Sequence, residues 1–341
     1  MQTNLWIALD GGTTNTRATL LRGDRVIDVV AESVGVRDSV MHQRSPVMHA
    51  VGQCLKVLKE RHAIVVDQVG VIASGMLGSD AGLVNVPHVM APATAGQVAA
   101  AAFEWFDETV WPKPIKIFPG VRTGPDPSQC GLMEQALAED IMRGEETQVW
   151  GLWQMLSKDR PQLVGQPWIL VWPGSHTKMI SVGADGTILG SYTTLAGELF
   201  AAMKTATLLR RSVQDSNEMQ YPDEIVDLAA KVVWEQGLLR AAFWTRVADV
   251  TGKLDQSQRS AWLSSAVIAA DVDALSKHEW INQKTDALLM IGGDKVRQSL
   301  YVRMLKKRSH CRIEALDANY CEHAAALGAV HLAMISNREG C

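Results

Sequence analysis

A chain of 341 residues with 47% hydrophobic and 21% charged side chains is long enough for two domains and too apolar to be disordered. Its net charge of −4 leaves no basic footprint for nucleic acid or an anionic membrane surface. No apolar run reaches the roughly 18 residues of a membrane span. The first residues, MQTNLWIALDGG, lack the basic and apolar stretches of a secretion signal. A soluble, cytoplasmic protein is expected.

Residues 5–10 (LWIALD) are rich in strand formers and run into the turn Gly11-Gly12-Thr13-Thr14-Asn15-Thr16. Two more short strands follow at 17–22 and 25–33, separated by Gly23-Asp24, which makes a β-meander. Val47, Val51, Leu55 and Leu58 recur at helical spacing after Pro46. A buried strand is expected at 68–75, a helix at 94–108, a strand at 114–120, and a helix over 132–144 that continues with a break to about Lys158.

The second half repeats this order. A strand at 168–172 leads to the turn Pro173-Gly174-Ser175-His176-Thr177, then strands at 178–183 and 187–194 and a helix from about Glu198 to Arg210. A helical insertion at about 211–285 interrupts the plan, which resumes with a strand at 286–294, a helix, a strand at 312–317 and a closing helix. Each half therefore reads β-β-β-α-β-α-β-α with a Gly/Thr-rich turn after its first strand. The division expected from this repeat is a first lobe at 1–160 and a second at 161–341. The insertion fits lobe core or a homodimer contact. Five scattered cysteines without a C-x-x-C pair read as free thiols, and eleven tryptophans as core.

The two glycine turns carry the chemistry. Gly11, Gly12 and Gly174 let backbone N–H groups approach a polyanion, and Thr13, Thr14, Ser175 and Thr177 add hydroxyl donors. Asp10 ends the first strand, and a carboxylate beside a phosphate site is costly unless a cation such as Mg²⁺ lies between them. Either loop alone is equally well an ordinary hairpin turn; two equivalent loops together with Asp10 point to nucleotide phosphate. Neither a P-loop nor a G-x-G-x-x-G fingerprint is present, which argues against a nicotinamide oxidoreductase. His176 has no G-x-S-x-G elbow beside it, and the nine histidines form no metal-ligand spacing.

DGGTTNTRA, PGSHTKMI, LLMIGGD and AAALGAV resemble the two phosphate motifs, the adenosine motif and a connecting motif of the hexokinase–actin–chaperone ATPase superfamily. GVRD, SGMLGS, FPGVRT, DIMRGEETQVWG and LAGELFAAM narrow the resemblance to the 2-dehydro-3-deoxygalactonokinase family, over most of the chain. The resemblance implies a duplicated ribonuclease-H-like α/β fold with a two-lobe cleft. It also implies ATP with Mg²⁺, and a small-molecule sugar acid phosphorylated at its 6-hydroxyl. In these terms Gly11, Gly12, Thr13, Thr14 and Asn15 with Gly174, Ser175, His176, Thr177 and Lys178 hold phosphates, and Gly292 and Gly293 border the adenosine. Asp10 meets the metal through water.

Phosphoryl transfer to an alcohol also needs a carboxylate near the hydroxyl. Against the G-D-Q-Q segment of related carbohydrate kinases, Gly144 matches the glycine and Glu145 the catalytic aspartate. Glu146 and Asp140 stand behind Glu145 as candidates, and an acidic solvated helix face is the plain alternative. Adjacent residues lie about 100° apart around a helix, so one glutamate alone is expected to face the cleft. A substrate carboxylate invites an arginine. Arg37 and Arg122, each after a Gly-Val pair, are the candidates, ahead of Arg17, and Gly75 and Met76 line the same pocket. A kinase of another hexonate or hexose, or an actin-like nucleotide switch, remain alternative readings.

Overall fold

The computed structural model describes residues 4–42, 45–125, 128–214, 220–282 and 287–339, so Cys341 lies outside the described residues. The first meander is β1 (Leu5–Gly11), β2 (Thr16–Arg22) and β3 (Arg25–Glu32), followed by α1 (Val36–His42), α2 (Ser45–Arg61) and β4 (Val69–Gly75). Next come β5 (Val89–Met90), α3 (Ala95–Ala100), β6 (Phe103–Asp107), β7 (Trp111–Ile117), β8 (Val121–Thr123), α4 (Leu132–Ala138), β9 (Asp140–Met142), α5 (Glu145–Asp159) and α6 (Pro161–Val164). The second meander is β10 (Trp168–Trp172), β11 (Thr177–Val182) and β12 (Ile188–Thr194). Helices α7 (Ala196–Ala206), α8 (Asp223–Gln236), α9 (Leu238–Val250), α10 (Gln256–Lys277) and α11 (Glu279–Asn282) follow. The chain ends with β13 (Leu288–Ile291), α12 (Lys295–Arg308), β14 (Arg312–Ala315) and α13 (Ala318–Glu339).

The repeat read in the sequence is present in the sheets. One has the order β3-β2-β1-β4-β7-β6 and the other β12-β11-β10-β13-β14. In both, the meander supplies the first three strands in reverse order; three later strands extend the first sheet and two extend the second. In the first, β1–β2 and β2–β3 are antiparallel while β1–β4 and β4–β7 are parallel, so the ends of β1 and β4 coincide at Gly11 and Gly75. Val47, Val51, Cys54, Leu55 and Leu58 of α2 are fully buried against Ile7 and Leu9 of β1, as the helical spacing predicts.

Two expected helices give way to strands. The helix expected at 94–108 stops at Ala100, and Phe103–Asp107 becomes β6, antiparallel to β7. Its aromatic residues favour a pleated edge, and Asp107 closes the hairpin by accepting from the N–H of Thr109 at 2.9 Å. The helix expected over 132–144 is helical only to Ala138. Asp140–Met142 pairs antiparallel with β8 in a small sheet ordered β5-β8-β9. Gly144, at φ +115°, then breaks the chain sharply before α5.

The chain forms two compact units. One comprises Met1–Trp168, Ile180–Tyr192 and Asn319–Cys341, the other Ile169–Met179 and Thr193–Ala318. From Asn319 onward, α13, which the duplicated sequence puts in the second half, belongs to the first unit. Its AAALGAV stretch packs on α5: a Cβ at Gly328 would lie 1.8 Å from the Thr147 oxygen, and one at Gly151 would lie 1.8 Å from the Ala324 oxygen. Only bare backbone permits this approach, and it seats the first turn of α5. Among the described residues, Cys54, Cys130, Cys311 and Cys321 form no disulfide, and no helix is long and apolar enough to cross a membrane.

Candidate active site

In the first unit the ends of three elements converge. Gly75, at φ +68°, lies so close to the end of β1 that a Cβ on it would stand 2.6 Å from the Gly11 oxygen and 2.7 Å from Asp10 Oδ1. A Cβ on Gly144 would stand 3.1 Å from the Gly75 Cα. The first glycine loop, the end of β4 and the N-terminus of α5 are thus brought together by two glycines in backbone conformations that other residues rarely adopt.

The loop is braced from below. The carbonyls of Gly12 and Thr13 accept from the N–H groups of Val36 and Arg37, each at 3.1 Å, and a Cβ on Gly35 would stand 2.4 Å from the Thr14 nitrogen. GVRD therefore packs on the loop, and Arg37 lies exposed at the start of α1 beside it. Thr14 and Asn15 are exposed, and the Asn15 amide donates to the Thr14 hydroxyl at 3.0 Å. Met76 opens a tight turn after Gly75, and its carbonyl accepts from the N–H and hydroxyl of Ser79.

Three carboxylates gather at this point. Burial raises the pKa of Asp10 to about 6; Arg17, its register partner on β2, pulls it down, and Glu145 pushes it up. Both glutamates fold back over the start of α5: Glu145 Oε2 accepts from the Arg143 N–H at 3.2 Å, and both oxygens of Glu146 accept from the Gly144 N–H at 2.9 and 2.7 Å. Both occupy the first turn of α5, and their environments differ, as their separation around the helix axis leads one to expect. Glu146 is fully buried and is pushed up to about 8, first by burial and then by Glu145. Glu145 is half-buried, and Asp140 pairs opposite Thr123 on the edge strand β9.

This crowding of like charge suits a cation. Among the described residues no three His, Cys, Asp or Glu side chains form a metal cage. A Mg²⁺ ion held by one carboxylate, waters and substrate phosphates fits such a site.

The arginines separate by environment. Arg122 on β8 is bound to Glu139 at 2.7 Å. Arg143 reaches back to the Val86 carbonyl at 2.8 Å and to His88, and its Nη1 is buried without a hydrogen-bond partner. Gly78 leaves room for that guanidinium, since a Cβ there would stand 2.9 Å from Nη1. Arg143 so ties the chain after β4 to the start of α5, a role that no local pattern in the sequence announces.

In the second unit the second glycine loop leans on α7. A Cβ on Gly197 would stand 2.1 Å from the Gly174 oxygen, and the Glu198 N–H donates to the Ser175 carbonyl at 2.9 Å. His176 is half-buried, 3.6 Å from Glu198. Thr177 and Lys178 belong to β11 and are buried rather than displayed in the turn: Thr177 meets the Tyr301 hydroxyl at 2.9 Å, and the Lys178 ammonium donates to Thr193 at 2.8 Å. Successive strand residues face opposite sides, so the two side chains diverge.

Beside this loop lies a cavity of about 330 Å³ bounded by Gly174, Gly197, Phe200, Tyr221, Ser264, Val267, Ile268, Asp294, Arg297 and Tyr301. Gly292 and Gly293 end β13 next to it. The bare face of Gly292 is taken up by the Trp172 ring, 2.2 Å from a hypothetical Cβ, and Gly293 turns at φ +89°. Asp294 caps α12 by accepting from the Arg297 N–H at 3.0 Å. Most walls of this cavity come from the insertion and from α7, which sequence reading gave no binding role. LAGELFAAM, with its Gly197, was the available signal.

Residues 10–330 match the family model described as 2-keto-3-deoxy-galactonokinase. The 2-dehydro-3-deoxygalactonokinase of Escherichia coli K12 is 25% identical over 276 residues, 79% of this chain and 80% of that protein. A solved structure from Sinorhizobium meliloti, of a protein provisionally named a 2-dehydro-3-deoxygalactonokinase, matches with a TM-score of 0.73 at 20% identity, over 96% of this chain and 98% of that one. The repeated sheets make this the duplicated ribonuclease-H-like α/β fold that the sequence leads one to expect. The chain belongs to the 2-keto-3-deoxy-galactonokinase family and is a kinase.

Proposed function

We propose that the protein transfers the γ-phosphoryl group of ATP to the 6-hydroxyl of 2-dehydro-3-deoxy-D-galactonate, giving the 6-phosphate and ADP in galactonate catabolism. The observation that carries this reading is the convergence of Asp10, Gly75 and Gly144–Glu145 beside the first glycine loop. Family membership supplies the substrate class.

In this reading Gly11, Gly12, Thr13, Thr14 and Asn15 of the first unit hold phosphate oxygens, as do Gly174, Ser175 and His176 of the second. Thr177 and Lys178 act from within β11 by holding the strand that follows the turn. Gly293 and the cavity beside Arg297 take the adenosine, with Gly292 supporting it through Trp172. Asp10 orients the water shell of Mg²⁺, which when bound neutralises charge on the transferring phosphoryl group.

Glu145 accepts the proton of the 6-hydroxyl as the new O–P bond forms and the bond to the ADP oxygen breaks. Its half-exposed position leaves it open to a substrate. Glu146, buried and bound to Gly144, holds the start of α5 instead. Arg37 grips the substrate carboxylate from beside the first loop; Arg122, already bound to Glu139, is the second candidate. Gly75 and Met76 line the acceptor site. The two compact units, rather than the sequence halves at 1–160 and 161–341, act as the kinase's lobes.

The test is product structure. Phosphorus and carbon NMR of the reaction mixture should place the phosphate on C6 of the sugar acid. Phosphate on another carbon, or ADP with only inorganic phosphate, would refute the proposed reaction.

A further inference from the structure

The helical insertion contributes a buried acid that the phosphoryl-transfer chemistry does not use. Asp271 sits on α10 and is 5% exposed. One of its oxygens accepts from the Thr194 hydroxyl at 2.5 Å, and the other accepts from the Tyr301 hydroxyl. The Tyr301 oxygen also lies 2.9 Å from Thr177 Oγ1, so Thr177 is linked to the acid through Tyr301. Burial raises the pKa of Asp271, and all three hydroxyls oppose that shift.

Each of those hydroxyls belongs to a different element at the nucleotide end of the second unit. Thr177 is the first residue of β11, directly after the Gly174–His176 turn. Thr194 ends β12, just before Gly197, whose backbone packs on the Gly174 carbonyl. Tyr301, on α12, is itself a wall of the 330 Å³ cavity. A buried carboxylate is tolerated only when its oxygens are satisfied, and a fully satisfied buried network holds its members in one arrangement. A single acid on the insertion thus fixes the strand after the loop, the strand before α7 and the cavity wall at once.

We infer that Asp271 is a positioning residue that sets the affinity for the nucleotide by holding the second glycine loop and Tyr301 in register. It touches no reacting atom. The inference rests on the proposed kinase reading for the identity of the cavity's occupant. It also gives the insertion a function within its own unit: α10 supplies both cavity wall (Ser264, Val267, Ile268) and the acid beneath it.

The test compares Asp271→Ala, Asp271→Asn and Tyr301→Phe with the natural full-length chain. The readouts are titration with Mg-ADP, KM for ATP, KM for the sugar acid, kcat and thermal midpoint. Misplacement of binding groups by about an ångström costs of order tenfold or more, so Asp271→Ala should raise Kd for Mg-ADP and KM for ATP by roughly that factor. The KM for the sugar acid should stay within about twofold. Asp271→Asn keeps one acceptor oxygen and should fall between. Tyr301→Phe keeps the ring in the cavity wall and loses only the hydroxyl, so it decides the matter if the alanine variant does not fold; a rise of about threefold is expected.

An unchanged Mg-ADP affinity in Tyr301→Phe and Asp271→Asn, with only a lower thermal midpoint, would overturn the inference. So would an equal rise in KM for both substrates. A natural chain that binds Mg-ADP but phosphorylates no acceptor would instead refute the proposed reaction, and the titration would still judge Asp271.

Discussion

A methyl group added at Gly75 would lie 2.7 Å from Asp10 Oδ1 and 2.6 Å from the Gly11 oxygen. The bare Cα of Gly75 is therefore what lets β1 and β4 end side by side with an acid between them. Gly75→Ala adds a clash to a backbone already at φ +68°, a strain of about 1–3 kcal/mol. It should displace Asp10 and lower kcat/KM by about a hundredfold. Steady-state kinetics with a thermal melt checks this, and near-normal turnover in a folded variant would contradict the arrangement.

Glu145 and Glu146 should separate cleanly by kinetics. Glu145→Gln should lower kcat by about 10²–10⁴ while leaving KM for ATP nearly unchanged, as expected for loss of a general base. Glu146→Gln should cost less in kcat, because its carboxylate is turned into the Gly144 N–H. An unchanged turnover number in Glu145→Gln would move the base elsewhere.

Glu146 also predicts a pH dependence of stability. Burial raises its pKa from 4.5 to about 8. Between those values the folded chain keeps a proton that the unfolded chain has released. Its contribution to stability is thus complete below 4.5 and is lost as pH rises toward 8, by up to about 1.4 kcal/mol per pH unit. Glu146→Gln stays neutral, so its thermal midpoint should match the natural chain near pH 5 and exceed it near pH 8. Parallel midpoint curves for the two chains would refute the buried, proton-holding state.

The sugar-acid carboxylate assigns different weights to two arginines. Arg37→Ala should raise the acceptor KM by about ten- to a hundredfold, the worth of a charge-assisted hydrogen-bond pair. Arg122→Ala should act weakly, since that guanidinium is occupied by Glu139. Normal acceptor KM values in both variants would remove arginine recognition at these positions.

Much of this was legible in the sequence because it is local. The strands around Gly11 and Gly174 announce themselves by strand formers flanking glycine, and α2 by the spacing of Val47, Val51, Leu55 and Leu58. Where pairing is decided at a distance, local pattern misled. Phe103–Asp107 reads as the end of an alanine-rich helix until its partner β7 is known, and Asp140–Met142 reads as helix until β8 is placed beside it. In α4, Leu132, Met133 and Leu137 are each more than 70% exposed, so their periodicity reported no buried face.

The site divides the same way. Asp10 and the loop glycines were readable from spacing. At the start of a strand, the face that Arg17 presents is open in the sequence, and the β1–β2 register sets it opposite Asp10. Asp271, 77 residues from Thr194 and 30 from Tyr301, has no local signature at all. Lys178 opens the strand at 178–183 and joins the phosphate residues only by adjoining the turn; strand alternation turns it toward Thr193.

The most direct test of the central claim is Mg-ATP-dependent ADP release by the purified full-length chain. The acceptors would be 2-dehydro-3-deoxy-galactonate, its gluconate epimer, galactonate and glucose. The account predicts strong turnover with the first compound, abolished by removal of Mg²⁺ and reduced by at least about a hundredfold in Glu145→Gln. ADP release that is the same with and without the sugar acid, or preferred turnover of glucose, would contradict it.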